Sequence, residues 1–252
     1  MYIKKTMVRS VLYVDDNVKD FEKMREFLEQ RDDFSLLNPN PIKDAEDLKM
    51  IVRKQTPNVV IFEHTLSSDK PDELIGENIH DYVPRFGCPP MISFSRHSLT
   101  ELKKVYPRQV YYACKRFDEL ELILNYLASR KRVILIEDYY LHVANADWAC
   151  RRAQCEFINV GLVDNYSDAM KHINEQDPDI VILDHSLSGT DHRYNDEGAR
   201  IAHEIKDRGI EIISFTSHSW NLIKEMYPRD VKIYQAGKTE FGIWGCLGEI
   251  LG

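Results

Sequence analysis

Four places in this 252-residue chain end an apolar run in a residue able to do chemistry. Val133-Ile-Leu-Ile runs into the adjacent acids Glu137 and Asp138, and Pro178-Asp-Ile-Val-Ile-Leu runs into Asp184. Ile213-Ser-Phe leads to Thr216, and Lys238 stands just ahead of a helix-like segment. An isolated Asp between a strand and a helix reads as an N-cap. Two adjacent acids are different, because their repulsion asks for a cation, and Mg2+ is the hard ion that takes one or two carboxylates, a carbonyl and waters. Asp184 closes a buried strand, where a carboxylate is costly unless solvated or paired. Lys238 lies at the wrong end of a helix for a cation, so an anionic partner explains it better. Thr216 taken alone is only a β-branched strand residue. Together the positions supply two metal-binding acids, an acceptor carboxylate, a hydroxyl donor and a cation, which are the parts phosphoryl transfer needs.

The same set occurs earlier in the chain with one change of type. Val11-Leu-Tyr-Val-Asp15-Asp16 parallels the first run, Pro57-Asn-Val-Val-Ile-Phe-Glu63 the second, and Ile92-Ser-Phe-Ser95 the third, with Lys115 matching Lys238. Tyr106-Pro107-Arg108 likewise returns as Tyr227-Pro228-Arg229. A repeat this long is a duplication of whole domains, each able to bury its own core. The expected domains are residues 1–129 and 130–252, with Arg130-Lys131-Arg132 at the boundary as a solvated linker. Glu63 stands where the second copy has Asp184, and its carboxylate projects about one carbon–carbon bond further.

The elements that must position these residues alternate in type. Strand-like runs lie near 11–15, 34–37, 58–63, 91–95 and 109–113, with helix-like patterns at 18–30, 43–54, 72–83, 98–106 and 117–129. In the second copy, strands are expected near 132–137, 156–161, 179–184, 210–215 and 231–235. Continuously apolar strands suit a parallel sheet covered on both faces, so each copy is an α/β doubly wound sheet. Such sheets place their site outside the carboxyl ends of the strands, where the acids, hydroxyl and lysine lie.

This order of acidic pair, acceptor Asp, Thr or Ser, and Lys on five β–α units resembles the receiver domain of two-component response regulators, twice in tandem. The resemblance implies a flavodoxin-like five-stranded sheet of order 2-1-3-4-5 and a phosphoryl group passed to Asp184 from a sensor histidine kinase or histidine phosphotransfer protein. It implies Mg2+ held by Glu137, Asp138, Asp184 and the Ser186 carbonyl, with Thr216 and Lys238 on the phosphoryl oxygens. The degenerate first copy, with Asp15, Asp16, Glu63, Ser95 and Lys115, is a pseudo-receiver by the same comparison. There Glu63 either holds an activated-like state through Lys115 or forms a plain structural ion pair. On this reading the protein is a phosphoacceptor that assists its own phosphorylation and dephosphorylation rather than an enzyme. Its output is contact with a downstream protein, without a DNA-binding domain, and homodimers are compatible with it. A scaffold that is never phosphorylated is the alternative, though it need not keep five polar groups convergent. A Mg2+-dependent phosphohydrolase would favour acids on alternate residues.

Departures from the pattern touch the switch rather than the reacting groups. An aromatic on the fifth strand is matched by Tyr112, whereas Gln235, beside Tyr234, stands there in the second copy. Arg116 and Thr239 replace the usual Pro after the lysine, and Ser67 and Ser188 replace another. The loop from Ser188 to Asp196 is long and polar, an ordinary insertion or a gate for partners. Of His64, His97, His185, His192 and His218, the last lies two after Thr216, where it would tune hydrolysis. A His/Asp transition-metal site is disfavoured, because a His next to a strand-end acid should point to the opposite face.

Composition narrows the function classes. With 41 acidic against 33 basic residues and a formal charge of -8, direct nucleic-acid binding is not expected. No apolar run approaches the ~18 residues of a membrane span, and the first apolar stretch is too short for a secretory signal. A cytoplasmic protein is expected, and Cys88, Cys114, Cys150, Cys155 and Cys246, without metal spacing, read as reduced thiols.

Overall fold

The computed structural model describes residues 8–42, 45–55, 57–63, 89–97, 100, 110–187, 197–227 and 229–252. The expected helix at 72–83, nearly all of that at 98–106, the 188–196 loop, and His64, Ser67, Ser188 and His192 lie outside these residues. The described residues fall into two compact units that divide between Ser129 and Arg130.

In the first unit the elements are β1 (Arg9–Val14), α1 (Val18–Glu29), β2 (Phe34–Leu36), α2 (Ala45–Lys54), β3 (Val59–Phe62), β4 (Met91–Ser93), β5 (Val110–Tyr112) and α3 (Phe117–Ser129). All five strands pair in parallel, in the order β2-β1-β3-β4-β5. β1 and β3 are almost wholly apolar because side chains alternate between two covered faces. Val11, Tyr13, Val59 and Ile61 pack with Phe21, Met24 and Leu28 of α1 and Leu120, Leu124 and Leu127 of α3. Leu12, Val14, Val60 and Phe62 face the other way, onto Ile42 and Leu48.

The second unit repeats the plan with β6 (Arg132–Ile136), α4 (Tyr140–Arg152), β7 (Glu156–Ile158), α5 (Tyr166–Gln176), β8 (Ile180–Asp184), α6 (Glu197–Ile205), β9 (Glu211–Phe215), α7 (Trp220–Met226), β10 (Ile233–Ala236) and α8 (Glu240–Leu251). Its sheet is again five parallel strands, in the order β7-β6-β8-β9-β10. Each sheet thus has the order 2-1-3-4-5 of a doubly wound fold, and its order reverses between the first and third strands, where a crevice opens. Ile134, Ile136, Val181 and Leu183 form one core face with Ile201, Ala202 and Ile205 of α6.

The basic run at the boundary is more than a solvated linker. Arg132 opens β6 and is only 5% exposed, and its Nη1 donates to the Gln176 carbonyl at 2.5 Å. Lys131 pairs with Asp179 at 3.4 Å, and Arg130 reaches the Gln154 carbonyl at 2.7 Å. The run therefore ties the start of β6 to neighbouring elements through its three cations.

Candidate functional site

At the carboxyl ends of β6, β8, β9 and β10 the second unit gathers every sequence-expected residue. A cleft of about 530 Å³ is lined by Glu137, Asp138, Asp184, Ser186, Thr216 and Lys238, together with His142 and His218. Glu137, Asp138 and Asp184 each offer a carboxylate oxygen, all lying within 4.8 Å of one another. Lys238 Nζ bridges two of them, 3.0 Å from Glu137 Oε2 and 3.0 Å from Asp184 Oδ2.

Local structure holds each group in place. The Glu137 side chain, 0% exposed, accepts the Tyr139 amide on Oε1 at 3.2 Å, so it caps the turn into α4. The cap position itself is Tyr139, not Asp138, which leaves the Asp138 carboxylate available to the cleft. Asp184 Oδ1 accepts the His185 amide at 2.7 Å. The start of α6 presses on the same strand end: a Cβ at Gly198 would lie 2.5 Å from the Asp184 carbonyl oxygen. Thr216 Oγ1 accepts the His218 amide at 3.2 Å, and the His218 carbonyl accepts Gln235 Nε2 at 2.7 Å. Gln235, at the position matched by Tyr112 in the first copy, therefore ties the loop after β9 to β10 by a hydrogen bond rather than by aromatic packing.

His142 is a titratable cleft residue that strand-end reasoning missed. Its Nδ1 lies 2.9 Å from Glu137 Oε2, and its ring stands edge-on to Phe215 at 5.0 Å. It sits on the first turn of α4, five residues after Glu137, a spacing at which the first turn of the helix looks back at the strand end. Burial and the nearby Lys238 lower its pKa. Burial, reinforced by the Asp184 charge, pushes Glu137 up to about 8 despite Lys238. Burial alone would lower Lys238, but Asp184 and Glu137 raise it. A single ammonium thus offsets three clustered carboxylates, and the remaining negative charge with hard oxygen donors is what a divalent cation such as Mg2+ fits.

His185, beside the acceptor, is buried, with its ring against His218 and Tyr227. The only described group of acids or histidines close enough to hold a metal is Glu137, Asp138 and Asp184.

The first unit brings its counterparts together differently. Lys115 Nζ contacts three carboxylates, Glu63 at 2.7 Å, Asp20 at 2.9 Å and Asp15 at 3.1 Å. Asp20 stands five residues after Asp15, as His142 does after Glu137, so the same helical position reaches both sites. Asp15 also accepts the Tyr13 hydroxyl at 2.6 Å and the Asn17 amide at 2.8 Å. Asn17, not Asp16, caps α1. Burial opposes the charge on Lys115, yet its bonds to Glu63 and Asp20 hold its pKa above the usual lysine value. Ser95 Oγ lies 2.8 Å from His97 Nδ1. The longer Glu63 side chain thus closes directly on the lysine.

No protein-family model matches the chain, and no curated protein matches it. Among solved structures it is similar to the signal receiver domain of NarL from Mycobacterium tuberculosis, 19% identical over 48% of this chain and 95% of that one, with a TM-score of 0.38. It is similar to the RcsB response regulator of Salmonella typhimurium, 19% identical over 48% of this chain and 58% of that one, TM-score 0.37. The C-terminus of E. coli RcsC, containing a linker region and phosphoreceiver domain, is 13% identical over 99% of this chain and 98% of that one, TM-score 0.38. Among the described residues no helix is long and apolar enough to cross a membrane.

Proposed function

We propose that the second unit is a phosphoryl acceptor of the receiver type, in which Asp184 takes a phosphoryl group from a phosphohistidine. The donor is a sensor histidine kinase or histidine phosphotransfer protein, and the result is a switch in protein contacts. The observation that carries this reading is the convergence of Glu137, Asp138 and Asp184 within 4.8 Å, with Lys238 Nζ 3.0 Å from the acceptor.

The chain's own residues account for the steps. An Asp184 oxygen forms the new bond to phosphorus as the bond to the donor imidazole nitrogen breaks, and the imidazole leaves with a proton. Lys238 and Thr216, both on the cleft, donate to the phosphoryl oxygens whose charge grows in a loose transition state. The His185 amide fixes the acceptor's orientation, which matters because transfer depends chiefly on in-line positioning. Mg2+ would be held by Glu137, Asp138, Asp184 and the Ser186 carbonyl, and when bound supplies charge neutralisation at the phosphoryl group. Thr216 moving toward the product would draw on the His218 amide, and Gln235 links that loop to β10.

The first unit is read as a pseudo-receiver that does not accept a phosphoryl group. Its support is Glu63 in place of an Asp at the acceptor position, a carboxylate one methylene longer that meets Lys115 at 2.7 Å. Intact-mass measurement after incubation with Mg2+ and a small acyl phosphate donor tests both statements. Wild type and Glu63→Gln should each gain one phosphoryl group and Asp184→Asn none. Absence of any gain with several donors and a histidine kinase would favour an unphosphorylated scaffold.

A further inference from the structure

α4 ends in a turn built around two thiols. Gln154, just past the helix, takes a left-handed backbone at φ 58°, and two hydrogen bonds close the turn. The Gln154 amide donates to the Arg151 carbonyl at 3.2 Å, and the Cys155 amide to the Cys150 carbonyl at 2.8 Å. In a helix ending of this kind, the residues joined by the outer bond commonly bring their side chains into contact. Here those residues are Cys150, in the last turn of α4, and Cys155, one residue before β7, and both are buried.

Standard bond lengths bound the separation of the pair. An α-carbon lies about 2.4 Å from its own carbonyl oxygen and about 1.5 Å from its own amide nitrogen. A 2.8 Å bond between the two groups therefore leaves the α-carbons at most about 6.7 Å apart. A disulfide joins α-carbons about 4.4–6.8 Å apart. The turn itself does not ask for sulfur: after α1 of the first unit the Arg31 amide closes on the Leu28 carbonyl at 3.0 Å, and residues 18–33 contain no cysteine.

Arg130 completes the arrangement. Its guanidinium donates to the Gln154 carbonyl at 2.7 Å and to the Cys155 carbonyl, which sets a cation beside the second thiol. Burial pushes the Cys155 thiol up to about 11 against the Arg130 charge, and burial together with the neighbouring Cys155 holds Cys150 well above its ordinary value. Both sulfurs therefore rest as thiols, closed to bulky reagents and reached by a small oxidant when the helix end frays. We propose that Cys150 and Cys155 are a redox-modification site, a thiol pair that a small hydroperoxide converts to an intrachain disulfide. The Cys155 thiolate attacks a peroxide oxygen, the O–O bond breaks, and hydroxide departs as water, leaving Cys155 a sulfenic acid. The Cys150 thiolate then attacks that sulfur and expels its hydroxyl as a second water, the protons coming from the two thiols. Two thiols and one hydrogen peroxide thus give one disulfide and two waters. The disulfide ties the end of α4 to the start of β7, at the opposite end of the strands from the carboxylate cleft, and stands whether or not Asp184 accepts a phosphoryl group.

Peptide mapping of the full chain without reduction tests it. Hydrogen peroxide is raised until the exposed Cys114 is oxidised, remaining thiols are alkylated under denaturing conditions, and trypsin cuts after Arg151 and Arg152, between the two cysteines. The peptide ending at Arg151 should then appear joined to the one beginning at Ala153, two hydrogens below their summed mass, and a thiol reductant should separate them. Cys150→Ser and Cys155→Ser should each abolish the joined pair, whereas Cys114→Ser should leave it unchanged. Oxidation of Cys114 with no link between Cys150 and Cys155 would overturn the proposal. So would passage of Cys155 to the sulfinic acid with Cys150 still open to alkylation, because a resolving thiol in contact traps the sulfenic acid first.

Discussion

The Glu63–Lys115 contact and the Lys238 bridge show how one methylene alters a site. Asp184 lines the cleft, and Lys238 bridges it to Glu137, 3.0 Å from each acid. Glu63 reaches further and closes on Lys115 at 2.7 Å, while Asp15 and Asp20 take the remaining sides of the ammonium. Lys115 adopts a left-handed backbone, φ 51°, uncommon for a side chain of its kind, and the three carboxylate contacts offset that strain. Asp15 in turn depends on Tyr13, whose hydroxyl is buried and whose pKa burial and the Asp15 charge raise. Tyr13→Phe should destabilise the first unit by about 1–3 kcal/mol, because it leaves a buried carboxylate oxygen short of a donor. Urea unfolding followed by a probe in the first unit checks this, and an unchanged midpoint would mean that Lys115 alone satisfies Asp15. The acceptor acids, hydroxyl and lysine were legible in the sequence because each ends a strand. His142 and Asp20 were not, since they reach the same place from a helix, and chain order gives no distance between a first turn and a strand end.

Elements hold these residues through backbone contacts as much as through side chains. The clearest case is α6, whose first turn lies against the end of β8: the Gly198 amide donates to the His185 carbonyl at 3.2 Å, and any Cβ there would collide with the Asp184 backbone. Gly198→Ala should displace the acceptor strand end, lowering stability by about 1–3 kcal/mol as overpacking does. It should slow phosphoryl uptake at Asp184 by more than that stability loss predicts. The rate of mass gain under conditions where the variant is fully folded measures this, and a wild-type rate would show that α6 yields instead of β8. The strands themselves were readable from their apolar runs, and the parallel pairing followed from β–α alternation. The Gly198 contact was not, because a glycine at a helix start looks the same in sequence whether or not another backbone lies beside it.

For the molecule as a whole, duplication has kept two inner architectures alike while their sites diverged. The charge balance of the second cleft also gives the protein a pH signature. Glu137 has an ordinary value of 4.5 and is pushed up to about 8, so the folded state holds a proton that the unfolded chain has lost. Its contribution to stability is full below 4.5 and is lost as pH rises through about 8. His142, whose ordinary value of 6.5 is lowered, acts in the opposite sense below 6.5. Without divalent cations the unfolding free energy should therefore fall between pH 6.5 and about 8, and Glu137→Gln should flatten that slope. An equal slope in the variant would place the titration elsewhere. The central claim is that Asp184 carries a phosphoryl group and Glu63 does not. Borohydride reduction converts an aspartyl phosphate to homoserine, so peptide mapping of the protein treated with Mg2+, donor and then borohydride reads the site itself. The account predicts homoserine at position 184 and an unmodified Glu63. An unreduced Asp184 in protein that has gained a phosphoryl group, or reduction at Glu63, would contradict it.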